Sequence, residues 1–170
     1  MAGFASTVII QINNDGSVTV EEDGRGIPVE DHPDLQKSTL EGVMTVLKFG
    51  GKFSKGAYQT SGGLHGVGVT AVNFLSEWCE VDVSRDGYIY HQEYARGIPS
   101  GPVEKVGKSD GNTGKGRGTK TTFMPDEEIF PDRKFDYNIL YRRLQDLAFL
   151  NSGVKIVNSM GIRCKHRRFR

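Results

Sequence analysis

The hydrophobic and polar positions at the start of the chain predict two strands joined by a tight turn. β-Branched residues dominate residues 8–12 and 17–22, and polar side chains alternate with them in the second run. The intervening residues 13–16 read Asn-Asn-Asp-Gly, a composition typical of hairpin turns. Because successive side chains of a strand face opposite ways, Glu22 and Asp23 should lie on different faces of this hairpin.

Helical spacing of apolar residues recurs in three later segments. We predict one helix from a cap at Ser38 or Thr39 to about residue 48, a second over residues 66–75 and a third after Asp136. Strands are predicted elsewhere, at residues 78–85, 87–94, 103–106, 118–124 and 153–159. This order predicts an α+β fold: a two-layer α/β sandwich with helices on one face of a mixed, largely antiparallel sheet.

Length and composition place the chain among single-domain globular proteins. Its 170 residues are 36% hydrophobic and 25% charged, and the net charge of +1 argues against a generally basic nucleic-acid coat protein. No apolar run approaches the ~18 residues of a membrane span, and the first residues lack the basic region of a signal peptide. Cys79 and Cys164 fit no metal-ligand spacing. We therefore expect a soluble cytoplasmic protein with no membrane partner.

The last eight residues differ from the rest of the chain in charge, because they contain five basic residues and no acid. We predict a folded domain over residues 1–162 and a disordered basic tail over residues 163–170. The alternative is a glycine-rich, basic-tailed nucleic-acid binder, in which this tail and a loop at residues 111–118 contact the phosphate backbone.

Glycine is the most unusual feature of the composition: it accounts for 22 residues, and seven of these fall between residues 50 and 68. A glycine-dense turn that leads into a helix lets backbone N–H groups converge on an anion, because no Cβ atoms intervene. The run Ser61-Gly-Gly-Leu-His-Gly-Val-Gly68 precedes the second predicted helix, so we interpret it as a phosphate-binding loop. The residues around Gly51 and Lys52 do not fit a P-loop, and no strand leads into the weak dinucleotide pattern at residues 66–71.

A second motif lies at the end of the second predicted strand. Residues 22–28 read Glu-Asp-Gly-Arg-Gly-Ile-Pro, which by itself also fits an ordinary acidic turn. A carboxylate can accept a hydrogen bond from an exocyclic amine such as that of adenine, and glycines leave room for a flat base. Together with the phosphate-binding loop downstream, this motif predicts a pocket for an adenine nucleotide.

These motifs resemble the ATP-binding domain of type IIA DNA topoisomerases, the gyrase B and topoisomerase IV type, in the ATPase superfamily that includes heat-shock chaperones, histidine kinases and MutL proteins. The matching residues include Asp23-Gly-Arg-Gly-Ile-Pro28, Gly50-Gly-Lys-Phe53, the glycine-rich run ending at Gly68, and Gly118-Thr119. The resemblance implies ATP and Mg²⁺ as cofactors, and DNA and a gyrase A-type subunit as partners of the whole enzyme. The binding residues that it implies are Glu22, Gly24, Arg25, Gly26, Pro28, Lys52, Gly63, Leu64, His65, Gly66, Val67, Gly68 and Thr119.

The resemblance also implies a role for each group of residues. The backbone of residues 63–68 and the helix that follows would hold the phosphates, and Lys52 would contact them from a lid. His65 would either fix this loop or contact phosphate itself. The adenine would lie against Arg25, Pro28 and Thr119.

Several departures from the family pattern limit these implications. The family has an aspartate where this chain has Glu22, and the added methylene moves the carboxylate by roughly 1 Å, enough to matter where geometry is tight. His91 and Gln59 replace an arginine at the pocket mouth and a lysine of the lid. The family's catalytic glutamate and Mg²⁺-binding asparagine lie on a helix upstream of the first strand, so no catalytic residue or metal ligand is assigned here.

We therefore expect a fragment or short paralogue of an ATP-dependent type IIA topoisomerase, incomplete at its N-terminus and without the dimerisation arm and the transducer domain. It should bind ATP weakly and not hydrolyse it. The alternative is a non-catalytic, degenerate nucleotide-binding or partner-binding module. The regions that separate gyrase from topoisomerase IV lie outside this sequence.

Overall fold

The computed structural model describes residues 5–33, 36–49, 66–109, 116–151, 153–160 and 167–169. The helices are α1 (Thr39–Thr45), α2 (Gly68–Phe74) and α3 (Tyr137–Leu150). The strands are β1 (Thr7–Ile12), β2 (Val18–Glu22), β3 (Asp31–His32), β4 (Lys37–Ser38), β5 (Ser76–Arg85), β6 (Tyr88–Ala95), β7 (Ile98–Pro99), β8 (Glu104–Lys108), β9 (Gly118–Pro125), β10 (Lys155–Met160) and β11 (Arg167–Phe169). Within these residues, each helix is too short or too polar to cross a membrane.

Nine of the strands form one sheet in the order β11-β10-β1-β2-β9-β5-β6-β7, with β8 also paired to β6. β1 and β10 run parallel, and the other neighbouring pairs are antiparallel. β3 and β4 form a separate two-stranded sheet. The mostly antiparallel sheet and the three helices of the described residues confirm the predicted α+β class.

The helices pack on one face of the large sheet through two apolar clusters. In the first cluster, α3 packs on β1, β2 and β10 through Leu144, Ala148, Ile10, Ile12, Val18 and Ile156. In the second, α1 packs on β5 and β6 through Leu40, Met44, Cys79, Val81, Val83 and Tyr94. Phe123 of β9 borders both clusters, so they form one continuous apolar layer.

The opposite face of the central strands is polar. Cys79, Val81 and Val83 are buried beneath the helices, so the intervening Glu80 and Asp82 of β5 face away from them. Cross-strand pairing puts the partners of these residues in β6 on the same side. This polar face therefore lies across the sheet from the helix layer.

The predicted hairpin and helix caps are confirmed. Asn13 N–H donates to the carbonyl oxygen of Ser17 at 2.8 Å, which closes the turn between β1 and β2. Ser38 Oγ accepts from Glu41 N–H at 3.0 Å at the start of α1. Asp136 Oδ1 accepts from two N–H groups in the first turn of α3. These features depend on residues close in sequence, which is why the sequence pattern predicts them.

Two elements differ from their predictions. The helix predicted to reach about residue 48 ends at Thr45, because Val46 is extended and Lys48 has a positive φ of 62°. Within the segment predicted to be a disordered tail, Arg167–Phe169 form β11, which pairs antiparallel with β10. The edge of β10 supplies backbone partners for these residues, and composition alone does not reveal that pairing.

A buried carboxyl links the β6–β7 turn to the end of β9. Asp126 is only 2% exposed, and its Oδ2 accepts from Arg96 Nε at 2.5 Å. A second nitrogen of Arg96 donates to the exposed Glu128 at 2.8 Å. The side-chain hydrogen bond from Arg96, assisted by the N–H of Glu128, lowers the pKa of the Asp126 carboxyl below its ordinary value of 3.8.

This lowered pKa predicts a specific loss of stability in acid. A carboxyl with a depressed pKa in the folded state stabilises the protein fully above its unfolded pKa, and this contribution is lost as the pH falls through the folded pKa. We therefore expect the free energy of unfolding to decline below pH 3.8, the ordinary value for Asp126, and this component to be missing from Asp126→Asn. Urea unfolding from neutral pH into the acid range measures it. Glu128→Gln, which removes the exposed partner, should keep the wild-type acid decline, and an unchanged decline in Asp126→Asn would contradict the assignment.

Candidate functional site

β2 and β9 meet at Glu22 and Thr119, two residues predicted to contact adenine. They are directly paired in the antiparallel ladder. Glu22 Oε1 accepts from Thr119 N–H at 2.7 Å, and Oε2 accepts from Gly24 N–H at 2.6 Å. The carboxylate therefore binds the start of β9 and the turn after β2 at the same time.

The turn after β2 is also bound to β5 and β9. Ile27 N–H donates to Thr119 Oγ1 at 3.2 Å, and Arg85 Nη1 donates to the carbonyl oxygen of Gly26 at 3.4 Å. These bonds come from residues far apart in sequence. They hold the predicted adenine-binding segment at a defined position on the sheet.

Two glycines are required by this close packing. Gly118 has a φ of +134°, and a Cβ at this position would lie 1.9 Å from the carbonyl oxygen of Glu22. Gly26 has a φ of +72°, and a Cβ there would lie 2.9 Å from the carbonyl oxygen of Ser84. Both contacts are with backbone atoms, so a larger residue would displace the strands themselves.

Asp23 is turned away from Glu22, as strand alternation predicts. Its side chain is 1% exposed and accepts from the N–H groups of Ser6 and Thr7 at 2.6 and 2.8 Å. Ser6 Oγ donates to its other oxygen at 2.5 Å. Asp23 thus holds the residues at the start of β1, while Glu22 faces the predicted nucleotide site.

Residues 66–68 lead into α2, the helix predicted to receive phosphate. Gly66 has a positive φ of 58°, and its carbonyl oxygen accepts from Lys48 N–H at 3.0 Å. No described side chain hydrogen-bonds to the cap of α2 at Val67. Among the described residues, a Cβ on Gly68 would have no atom within 4 Å, so none of them covers the first residue of the helix.

Two buried polar residues that hold α2 in place were missed by the sequence reasoning. Thr70 Oγ1 donates to the carbonyl oxygen of Val43 at 2.8 Å, and Asn73 Nδ2 donates to that of Met44 at 3.1 Å. Thr70 and Asn73 are both fully buried. Their three-residue spacing, which puts both on one face of an otherwise apolar helix, is the signal that could have revealed them.

The predicted site residues fall into three groups. Glu22, Gly24, Gly26 and Thr119 are brought together, with Arg25 exposed and Pro28 half-buried on the same turn. Gly66, Val67 and Gly68 lie separately, at the start of α2. The remaining predicted residues lie outside the described residues: Lys52, Gly63, Leu64 and His65, together with the lid residue Gln59.

His91 lies on the polar face of the sheet, opposite the helices. Its Nδ1 is 2.7 Å from Asp82 Oδ1, and its Nε2 is 3.3 Å from Glu93 Oε1. Burial disfavours the charged imidazole, but these two hydrogen bonds outweigh it and raise the pKa of His91 above its ordinary value. The alternation of β6 therefore places His91 on the other side of the sheet from Glu22.

Open space borders both the β2–β9 junction and α2. A cavity of about 230 Å³ at the junction opens on the polar face of the sheet, where Glu21, Asp82, Ser84, Ile89 and Lys120 line it together with Glu22 and Thr119. A second cavity of about 290 Å³ lies between α2 and residues 123–135, with apolar walls that include Leu75, Phe123, Phe130 and Phe135. Glu22 and Thr119 contribute to the lining of the first cavity, which lies across the sheet from the helix layer.

Comparison with known proteins identifies relatives of this chain. The chain is 51% identical over 156 residues to the B subunit of DNA gyrase from Clostridium acetobutylicum and 53% identical over 156 residues to that from Thermotoga maritima. Each match covers 92% of this chain and 24% of the relative, so the chain spans about a quarter of the length of these proteins. The 43K ATPase domain of Thermus thermophilus gyrase B, solved in complex with an aminocoumarin, superimposes with a TM-score of 0.81 at 35% identity. That match covers 99% of this chain and 41% of the other.

A family model agrees with these matches. The model described as histidine kinase-, DNA gyrase B- and HSP90-like ATPase matches residues 2–129, which include both the β2–β9 junction and the start of α2. A match over most of the chain, with relatives about half identical to it, establishes membership. The chain belongs to the histidine kinase-, DNA gyrase B- and HSP90-like ATPase family, and the two relatives compared above are DNA gyrase B proteins.

Proposed function

We propose that this chain binds ATP, with the adenine at the β2–β9 junction and the phosphates at the start of α2. The observation that carries the proposal is the junction itself, where Glu22, Gly24 and Thr119 are hydrogen-bonded in a chain that matches a gyrase B ATPase domain. Gly26 and Gly118 keep this region close-packed with backbone alone. The junction therefore offers polar groups at the position that the resemblance assigns to adenine.

Glu22 can hold the junction and still accept a hydrogen bond from the base. An ionised carboxylate offers about four lone-pair positions, and the N–H groups of Thr119 and Gly24 use two of them. Thr119 Oγ1 accepts from Ile27, which leaves its hydroxyl proton available to a ring nitrogen. Glu22 and Thr119 thus provide an acceptor and a donor for the adenine edge.

Gly66 and Gly68 suit phosphate binding because they have no side chain that would block access to the backbone N–H groups. The first N–H groups of a helix have no partner within the helix, and the positive end of the helix dipole attracts anions. The space at the missing Cβ of Gly68 lets an oxygen approach the backbone. The roles of Lys52, Gly63, Leu64 and His65 stay predictions from the resemblance.

Mg²⁺ is implied by the family, but residues 66–68 do not supply its ligands. Mg²⁺ prefers oxygen ligands in octahedral geometry, whereas the start of a helix presents N–H donors. These residues fit phosphate oxygens and not the metal. We therefore assign Mg²⁺ no ligand from residues 66–68.

The wider function that we propose is that of the nucleotide-binding part of a gyrase B-like type IIA topoisomerase. In that setting, ATP binding would drive closure of a dimer gate and passage of DNA, with DNA and a gyrase A-type subunit as partners and the cytoplasm as the location. The identity of about 50% to gyrase B proteins supports this proposal. The absence of ATP hydrolysis by this chain alone, which the sequence predicts, is tested by phosphate release.

A second candidate is a degenerate module that no longer binds nucleotide. It is favoured by one observation, the engagement of both Glu22 oxygens with backbone N–H groups at 2.6 and 2.7 Å. Calorimetric titration of the chain with a non-hydrolysable ATP analogue separates the candidates. Absence of heat and of any stabilisation by the analogue would favour the degenerate module.

Gly68→Ala tests where the phosphates bind. The methyl group enters open space, so the free energy of unfolding should not fall, because alanine also favours the helix. The same methyl group would obstruct phosphate, and we expect affinity for the ATP analogue to drop on the order of tenfold, about 1.4 kcal/mol. Gly107→Ala in β8 is the matched control, because its Cβ would also meet no atom of the described residues within 4 Å. Equal affinities in the two variants would contradict a phosphate site at Gly68.

A further inference from the structure

Three potential metal ligands lie together on the polar face of the sheet, away from the proposed nucleotide site. Glu80 of β5 and Glu93 of β6 are direct cross-strand partners, and His91 precedes Glu93 by two residues on the same face. One ligand atom from each of the three residues lies within 4.8 Å of the other two. We call Glu80, His91 and Glu93 the β5–β6 cluster.

One pair of atoms in this cluster has the separation expected of two ligands on one ion. Zinc binds imidazole nitrogen and carboxylate oxygen at roughly 2.0–2.2 Å, so two tetrahedral ligands lie about 3.3 Å apart. His91 Nε2 and Glu93 Oε1 are separated by 3.3 Å. Glu80, whose backbone is held opposite Glu93, places the third ligand atom within 4.8 Å of the other two.

Asp82 orients the imidazole for this role. A carboxylate accepts hydrogen bonds, so the 2.7 Å contact between Asp82 Oδ1 and His91 Nδ1 places the proton on Nδ1. In the metal-free protein Nε2 donates to Glu93 Oε1, so an ion bound between these two atoms would displace the Nε2 proton and leave Nδ1 protonated. Metal-binding histidines commonly have such a carboxylate on the other ring nitrogen, where it fixes the ring and increases ligand basicity. Lys120 Nζ, 3.3 Å from the second oxygen of Asp82, holds that carboxylate in turn.

We propose that the β5–β6 cluster binds a divalent transition-metal ion, with zinc as the best fit. Two carboxylates and a neutral imidazole balance the charge of the ion, and the nitrogen ligand favours zinc over Mg²⁺ or Ca²⁺, which prefer oxygen alone. Water completes the coordination on the open side. Because the cluster lies across the sheet from Glu22 and α2, the ion is separate from nucleotide binding.

The strands under the cluster give it a fixed frame. β5 pairs with β6 on one side and with β9 on the other, so Glu80 and Asp82 sit in the interior of the sheet. Each strand has alternate residues buried beneath the helices, Val81 in β5 and Gln92 in β6 among them. Ligands on such rigid strands lose little freedom when they bind an ion.

Calorimetric titration of the untagged 170-residue chain with zinc chloride tests the proposal. We expect one high-affinity zinc ion per chain, with amide NMR shifts centred on β5 and β6. Glu93→Gln, which keeps side-chain size, and His91→Asn should each remove this binding event. Asp82→Asn should weaken it by about tenfold or more without removing a ligand.

The matched control is His32→Asn, which changes a histidine of the small β3–β4 sheet and should leave zinc affinity unchanged. Circular dichroism and thermal unfolding verify that each variant is folded. If His91→Asn does not fold, Glu93→Gln still decides the outcome. The proposal is overturned if the wild-type chain binds no zinc, if folded Glu93→Gln binds it as tightly as wild type, or if the shifts lie away from β5 and β6.

Discussion

Asp23→Ala is expected to lower the free energy of unfolding by about 3–5 kcal/mol, because each buried donor left unsatisfied costs about 1–3 kcal/mol. The Asp23 side chain is 1% exposed and accepts from Ser6 N–H, Thr7 N–H and Ser6 Oγ. Alanine removes both acceptor oxygens and leaves the two backbone N–H groups at the start of β1 without a partner. The pairing between the start of β1 and the end of β2 should open before the rest of the sheet.

Urea denaturation and amide hydrogen exchange measure this effect. Exchange at Ser6 and Thr7 should rise more than exchange in β5, where the ladder is unchanged. Glu21→Ala is the matched control: it removes an acid two positions away that is only half-buried, and stability should change by less than about 1 kcal/mol. Equal loss of stability in both variants would mean that Asp23 does not hold the start of β1.

Gly118→Ala is expected to cost about 3 kcal/mol, since backbone strain and overpacking each contribute about 1–3 kcal/mol. The φ of +134° disfavours any side chain, and the new Cβ would lie 1.9 Å from the carbonyl oxygen of Glu22. Relief requires β9 to move away from β2, which would also lengthen the contact between Glu22 and Thr119 N–H. Nucleotide affinity should therefore fall together with stability.

Thermal unfolding should show this loss as a decrease in Tm of about 6–12 °C for a chain of this size. Gly107→Ala provides the reference again, because its Cβ enters open space and should change stability by less than about 0.5 kcal/mol. A Gly118→Ala protein with the wild-type Tm would show that β2 and β9 are not packed as closely as described. The contrast with Gly68→Ala is useful, because that variant should lose affinity without losing stability.

Local sequence patterns predicted much of the fold. The β1–β2 hairpin, the caps at Ser38 and Asp136 and the opposite orientations of Glu22 and Asp23 all depend on residues that are neighbours in the chain. The resemblance to gyrase-type ATPases was carried by short motifs and is confirmed by the matched relatives. The end of α1 and the pairing of β11 with β10 were not predicted, because each depends on contacts with distant backbone.

The sequence alone could not reveal how Glu22 is used. Its substitution for the family aspartate was visible, but its partner Thr119 is 97 residues away, so the bond between them depends on the register of β2 and β9. The spacing of Thr70 and Asn73 could indicate a shared helix face, but their acceptors lie on another helix and could not be identified from sequence. Hydrogen bonds between distant residues form only after the sheet and helices have packed.

What the sequence by itself determined is the family, the α+β class and the positions of the glycines, because these follow from residue identity and short-range periodicity. What only the tertiary structure decided is which of these residues meet. Sheet register brought Glu22 to Thr119 and Glu80 to Glu93, while strand alternation put His91 on the face away from α2. The physical reason is that side-chain chemistry is fixed by the residue, whereas the distance between two side chains is fixed by the packing of the backbone that carries them.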